Sequence, residues 1–490
     1  MDDKHKTDKN MHDILNDLGF SKVKSEQRVK IYDNASRCME RITLRNWFEY
    51  FEVFVLGSRG EGIAVALGSD MDILKLQPAV MCFQTFPAEH KEKIDKYVAT
   101  FGLHFNDVPE GYVKLHLETI KNIQKPDKYY KLVNRINSAL TSDRYLKNNE
   151  RIIEAVEYKG EQDNVEITGW ISEHFQQEQA HGPAQPLQFP IPMSGRYLSV
   201  DNVPAFPCEI PSFFDEWLKR VQDKSWPSEE TSMEVKESPL FVVPVGLAGS
   251  QEEELQWRVS CTLAERLLVR SFNDAQIKAY TAMKMILKHV LKPDCEYITS
   301  YQVKNVMFWV SEKNNNILKI TNFIEILLEA IDFLKQSLEV RCLQHYFVLS
   351  KNLMSGTLSD KDCRCLIDHF NEISKDPTGV LRRCPLIHLM CSLPKEEVQK
   401  RLLFRNLLVE VASAGLSIED PVKFDRIERL FHLVKSENDF FEFAKREVLS
   451  VVRQNNPYGY FDLLSSKSNE EILGILLLGK LFGYDKEWLD

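Results

Sequence analysis

The residues best suited to chemistry lie in FVLGSRGEGIAVALGSDMDILKL, positions 54–76. Side chains at i and i+2 of a strand point to one face, so Asp70 and Asp72 project together while Met71 and Ile73 pack the other way. Two carboxylates on one face, with nothing basic between them, suit a pair of hard divalent cations. Such a pair can activate an attacking hydroxyl and stabilise a leaving pyrophosphate. Gly57 lets the backbone come close to phosphate, and the N–H groups of a helix opened by Ser58 can hold phosphate oxygens. Asp-x-Asp alone carries little weight among 72 acidic residues, and Asp360-Lys-Asp362 reads only as a helix start. Gly57-Ser58 upstream, with eleven residues between Ser58 and Asp70 and strand patterns on both sides, is far more particular. A third carboxylate, Asp201, sits mid-strand in LSVDNVP, where it is costly without a partner such as a metal. A strand aspartate facing solvent is the other reading.

Elements must hold these groups. Between about 25 and 47, Val29, Tyr32, Ala35, Met39 and Ile42 recur at three- and four-residue steps, which predicts a long amphipathic helix. Strands are predicted over 48–58, 70–76, 111–119 and 196–206. After about Pro211 helical patterns take over, at 257–272, 275–291, 301–312 and 317–338, with another helix bracketed by Pro394 and Gly415. The polar stretch 222–238 reads as a surface loop. The expected fold class is α+β. Residues 1–210 form a mixed-sheet lobe with the long helix as its spine, 211–370 an all-helical lobe, and 371–490 a helical extension.

With 62 Lys and Arg against 72 Asp and Glu, the net charge of the 490 residues is −10, so any nucleic-acid contact must come from a local patch. The N-terminus has no apolar signal region, and the longest apolar stretch, 472–482, falls short of the about 20 residues a bilayer needs. No membrane association is expected, and a cytosolic or nuclear location is. The ten cysteines read as reduced thiols. Cys363, Cys365, Cys384 and Cys391 are too irregularly spaced for a zinc cluster, so no structural zinc is expected.

The series GSRGEG, DMD, HGPA, YLSVDNVPA, PLFVVPVG, EEELQWRVSCTLAERLL, AMKMILKHVL, ITSYQVKNVMFWV and LQHYFVLSKNLMSG runs in order from about 53 to 353. It resembles the Mab-21 family of nucleotidyltransferases, and within it the cyclic GMP–AMP synthase-like receptors. The resemblance implies a two-lobed nucleotidyltransferase fold. It also implies a ligand-activated enzyme that makes a cyclic dinucleotide from ATP, GTP or other nucleoside triphosphates with two Mg²⁺ or Mn²⁺ ions. The product would act on a downstream cyclic dinucleotide receptor in innate antiviral defence. By the same resemblance Asp70, Asp72 and Asp201 are the metal triad, and Ser58, with Gly57 beside it, holds nucleotide phosphates. Arg258, Ser260, Thr262 and Glu265 contact bases and ribose, Lys284 reaches the donor nucleotide, and Ser300 and Tyr301 hold a nucleobase. Judged alone, Arg258 and Glu265 also fit a solvated helix pair, Tyr301 a core aromatic, and Lys284 a stem packed on the core.

The zinc-binding insertion of the vertebrate cyclic GMP–AMP synthase has no counterpart here, where Ser271-Phe272-Asn273-Asp274 joins the two helices. Along the first helix Lys30, Asn34, Arg37 and Arg41 form a mostly basic stripe, with Lys22, Lys24 and Arg28 near its start and Glu26, Asp33 and Glu40 interrupting it. The stripe fits double-stranded RNA as activator, since a shape-reading basic groove suits an A-form duplex; a solvated face is the alternative. Two other functions remain open. One is a non-catalytic Mab-21 protein with a structural or developmental role. The other is a glycosyltransferase, which demands neither Gly57-Ser58 nor Asp201.

Overall fold

A computed structural model of the chain describes residues 11–46, 51–64, 71–87, 89, 91–125, 127–148, 176–177, 185–191, 196–354, 356, 358–394 and 398. Asp70 and the helix expected between Pro394 and Gly415 lie outside them, as does nearly all of the expected extension past residue 394.

The long first helix, α1 (Lys22–Asn46), forms where its apolar period places it. It lies along an edge strand, β1 (Glu52–Val55), and serves that edge chemically. Ser36 Oγ accepts the Val55 N–H and Glu40 Oε1 the Val53 N–H, each at 3.0 Å, so two donors of the exposed edge are satisfied by helix side chains. A single helical turn follows, α2 (Gly57–Gly60), and then β2 (Met71–Leu76). The sheet continues with β3 (Val80–Phe83), α3 (Lys91–Asp95), β4 (Ala99–His104), β5 (Tyr112–Ile120) and α4 (Tyr130–Ala139). Next come β6 (Gln176–Gln177), β7 (Gln185–Ile191) and the fourteen-residue β8 (Arg196–Glu209). Beyond these lie α5 (Asp215–Val221), α6 (Glu229–Lys236), β9 (Leu240–Val243) and β10 (Gln256–Ser260).

These ten strands form one mixed sheet in the order β1-β2-β8-β3-β4-β5-β10-β9, with β7 on β8 and β6 on β7. Because β9 also pairs with β8, the strands β8, β3, β4, β5, β10 and β9 close on one another and hide their edges. Phe101, Phe206 and Trp257 stack inside this closure, with ring centroids 6.3 and 5.5 Å apart. The length of β8 matters most. Its first half runs beside β2 and β7 and its second half beside β3 and β9, so one strand joins the open and the closed parts of the sheet.

The sequence pattern placed 257–272 in one helix and put strands before residue 211. Instead, 240–243 and 256–260 are strands of the sheet, and only α7 (Thr262–Arg270) of that run is helical. The expected surface loop 222–238 holds α6 and the fully buried Trp226. The helical region goes on with α8 (Asp274–Ile286), α9 (Ser300–Lys313), α10 (Phe323–Glu339), α11 (Asp360–Lys375), α12 (Pro377–Arg383) and α13 (Pro385–Ser392). Capping boxes start two of them, Asn273 with Gln276 and Thr299 with Gln302. α8 is the central helix: from Ala275 to Ile286 every residue except Lys284 is buried.

One arginine ties the helical region to the rest. Arg270, at the end of α7, donates to Asp33 of α1 at 2.7 and 3.1 Å and to the Gly60 carbonyl of α2 at 2.7 and 2.9 Å.

Candidate active site

Strands β2 and β8 run parallel with Asp72 directly opposite Asp201. Register partners on neighbouring strands point to the same face at a spacing of about 4.8 Å, which sets the two carboxylates side by side. Their sequence neighbours Ile73 and Asn202 point the other way and are buried, while Asp72 and Asp201 are half-buried. Gly57 closes over them. Its φ is +56°, and a Cβ there would fall 1.8 Å from Asp72 Oδ2, so only glycine fits. The Leu56 N–H donates to the Asp72 carbonyl at 2.8 Å and seats the turn on the strand. Two adjacent carboxylates repel unless a cation or a proton lies between them. An all-oxygen donor set under a close backbone fits a hard dication such as Mg²⁺ or Mn²⁺.

Beside the carboxylates, Lys284 Nζ bonds the Ser58 hydroxyl. Burial pushes the Lys284 ammonium below its ordinary value against the pull of Glu61, with Lys304 adding to the fall and Asp72 opposing it. Lys304 is held between Glu61 Oε1 at 2.6 Å and Glu265 Oε2 at 3.4 Å. Burial alone would lower Lys304, but Glu61 and Glu265 together carry it well above the usual lysine value. The Tyr301 hydroxyl donates to Glu265 Oε1 at 2.6 Å and lies 2.7 Å from His345 Nε2. His345 Nδ1 accepts the N–H groups of Phe347 and Val348 at 3.1 and 3.0 Å. That assigns its proton to Nε2, which donates to Tyr301.

Of the sequence-derived residues, Asp201, Asp72, Gly57, Ser58 and Lys284 adjoin one another, and Glu265 bonds Tyr301; Glu61 and Lys304 link the two groups. Arg258 lies mid-way along β10 and Ser260 ends it, Thr262 opens α7 with its hydroxyl 2.6 Å from Ser260 Oγ, and Ser300 is exposed as the first residue of α9. Glu265, expected to contact bases and ribose, accepts from Tyr301 on Oε1 at 2.6 Å and from Lys304 on Oε2 at 3.4 Å, which fixes the tyrosine hydroxyl. Glu61, Lys304 and His345 were not singled out from the sequence. Lys304 lies one turn beyond Tyr301 on a helix buried from Gln302 to Glu312, and a lysine in such a run is a signal for a buried partner.

Residues 275–372, spanning α8 to α11 and thus Lys284, Ser300, Tyr301, Lys304 and His345, match the Mab-21 protein HhH/H2TH-like domain. The chain is also 24% identical over 180 residues to protein mab-21-like 3 of Xenopus laevis. Both likenesses point to the Mab-21 family. The similar stretch covers 36% of this chain and 46%, about half, of the frog protein. Mab-21 domains are nucleotidyltransferase-like, which agrees with an acidic pair on a mixed sheet facing a helical region.

On α1, Lys30 and Arg37 are exposed, and Arg41 lies on the same helix. Two of the flanking basic residues do not extend the stripe. Arg28 is buried and donates to the Gly62 and Gly19 carbonyls at 2.7 and 2.6 Å. Lys22 is spent on the Arg270 carbonyl at 2.5 Å, while its own N–H donates to Asp274. Asp33 is paired with Arg270 and does not interrupt a free basic face.

Among the described residues no helix is long and apolar enough to cross a membrane.

Proposed function

We propose that this Mab-21 family protein is a metal-dependent nucleotidyltransferase with a two-lobed fold. Once a ligand binds, it joins ATP, GTP or other nucleoside triphosphates into a cyclic dinucleotide. In this reading it is a cytoplasmic receptor of innate antiviral defence, similar to the cyclic GMP–AMP synthase-like receptors, and its product acts on a downstream receptor. The parallel register of Asp72 with Asp201, beneath Gly57 and next to Ser58 and Lys284, is the observation that carries the reading.

Asp70, Asp72 and Asp201 would hold two Mg²⁺ or Mn²⁺ ions. When bound, such ions supply activation of an attacking hydroxyl and neutralisation of charge on the leaving pyrophosphate. The chain's own groups do the rest. Ser58 and the Lys284 ammonium hold the triphosphate where its reacting phosphorus lies near the carboxylates. Tyr301 offers a ring face to a base, and because Glu265 and His345 fix its hydroxyl, little rotamer freedom is lost on stacking. Arg258, Ser260, Thr262 and Ser300 surround base and ribose. Structural zinc has no part in this reading.

The test incubates the full chain with labelled ATP and GTP, Mg²⁺ or Mn²⁺, and a panel of nucleic acids. The expected result is pyrophosphate plus a phosphatase-resistant product. Asp70→Asn, Asp72→Asn and Asp201→Asn should each cut this more than tenfold, at least about 1.4 kcal/mol of transition-state stabilisation, with melting unchanged. No product under any condition would leave a non-catalytic Mab-21 role. A variant retaining over a tenth of activity would remove that residue from the metal set.

A further inference from the structure

Two and three strands beyond β8, on the outward face of β4 and β5, a second cluster of metal-type donors forms. β5 alternates: Val113, Leu115 and Leu117 are buried in the core, so Lys114, His116 and Glu118 face outward. The ladder pairs Gly102 of β4 with His116 and His104 with Lys114, which puts His104 on the same face. A register shift between Thr100 and Phe101 leaves Glu118 with no cross-strand partner, and a bulge of this kind re-aims the side chain it carries. Gly102, opposite His116, has no side chain, and a Cβ there would lie 2.9 Å from Glu118 Oε1. The carboxylate therefore folds into the space the glycine leaves, 2.9 Å from His116 Nδ1.

As a result one nitrogen of each imidazole and one oxygen of Glu118 lie within 4.8 Å of one another, all three residues half-buried. The rings are stacked at 5.3 Å with 13° between their planes. Tyr145, bridged to His116 through the backbone, sets its hydroxyl 2.9 Å from His104 Nδ1. We propose that His104, His116 and Glu118 form an exchangeable site for a transition-metal dication, with Zn²⁺ as the natural occupant. Imidazole nitrogens select Zn²⁺ and its neighbours over Mg²⁺ or Mn²⁺. Two histidines and one carboxylate leave a fourth position for water or an incoming group. Metal–nitrogen bonds of about 2.0–2.1 Å put tetrahedral donors about 3.3 Å apart, a distance small side-chain rotations supply at this half-buried face. Tyr145 orients His104 through its hydroxyl, in the place where a ligating imidazole more often meets a carboxylate, a backbone carbonyl or water. The strands are already held by their ladder, so the metal is not needed for folding, and the site is independent of the Asp72–Asp201 pair.

The test uses the full chain, stripped by chelator and supplied with excess Mg²⁺ to fill oxygen-only sites, and titrates it with Co²⁺ as a visible probe. One equivalent should give a four- or five-coordinate absorption without a thiolate charge-transfer band, and Zn²⁺ should abolish it. His104→Asn and Glu118→Gln should each weaken binding at least tenfold while melting in chelator matches the parent. Absence of the band overturns the proposal. So does a band unchanged in both variants, or one with thiolate charge transfer, which would move the metal to a cysteine. If one variant misfolds, the other decides.

Discussion

A methyl group on Gly57 would have to share space with Asp72 Oδ2, 1.8 Å away, and would sit on a backbone at φ +56°. The conformational cost for an L side chain there is about 1–2 kcal/mol, modest beside the displacement forced on the carboxylate. Gly57→Ala is therefore expected to lower product formation at least tenfold while melting falls only slightly. Steady-state rates set against calorimetry separate the two, and a wild-type rate would show that Asp72 does not work where it stands. Tyr301 illustrates the opposite balance. Its ring was singled out for stacking, yet its hydroxyl joins two buried partners, so ring and hydroxyl serve one purpose.

At the level of elements, the segment after α10 is anchored by a neutral imidazole. Burial, against Glu265 and helped by Lys351 and Arg258, pushes His345 down to about 4 from an ordinary 6.5. Between those values the unfolded chain binds the proton and the folded chain does not. The stabilisation is thus complete above pH 6.5 and is lost as pH falls to about 4, by about 3 kcal/mol in all. His345→Gln should flatten the dependence of melting temperature on pH across that window; an unchanged slope would place the acid sensitivity elsewhere. Helices α1, α8 and α9 were legible because their apolar period survives in the sequence, and Asp72 because strand and Asp-x-Asp coincide locally. β10 was not. QWRVSCTLAERLL keeps a helical rhythm through Trp257 and Val259, and only pairing with β5 and β9, far away in sequence, makes its first part a strand. The Glu61–Lys304–Glu265 array escaped in part for the same reason: a lysine in a buried run signals that a partner exists, but no local pattern says that folding brings in Glu61 and Glu265.

For the whole molecule, a net charge of −10 disfavours general attraction to polyanions, so the expected RNA activator would have to find the stripe on α1, where Lys30 and Arg37 are exposed. Reversing Lys30, Arg37 and Arg41 to Glu is expected to abolish synthesis stimulated by double-stranded RNA. It should also flatten the salt dependence of binding by about one unit of slope per lost phosphate contact. A triple variant that responds to duplex RNA like its parent would assign activation to another surface. How a push on α1 would travel is already built into Arg270. Its guanidinium grips Asp33 on the helix and the last carbonyl of the turn carrying Ser58. The helix is a lever and this planar group its fulcrum. α1 cannot tilt about that point without either dragging the turn that carries Ser58 along or breaking one of the two grips. A lysine at 270, a single point charge on a flexible stem, could hold one end or the other, leaving the Arg28 bond to the Gly62 carbonyl and the Arg59 bond to the Tyr32 hydroxyl as ties between helix and turn.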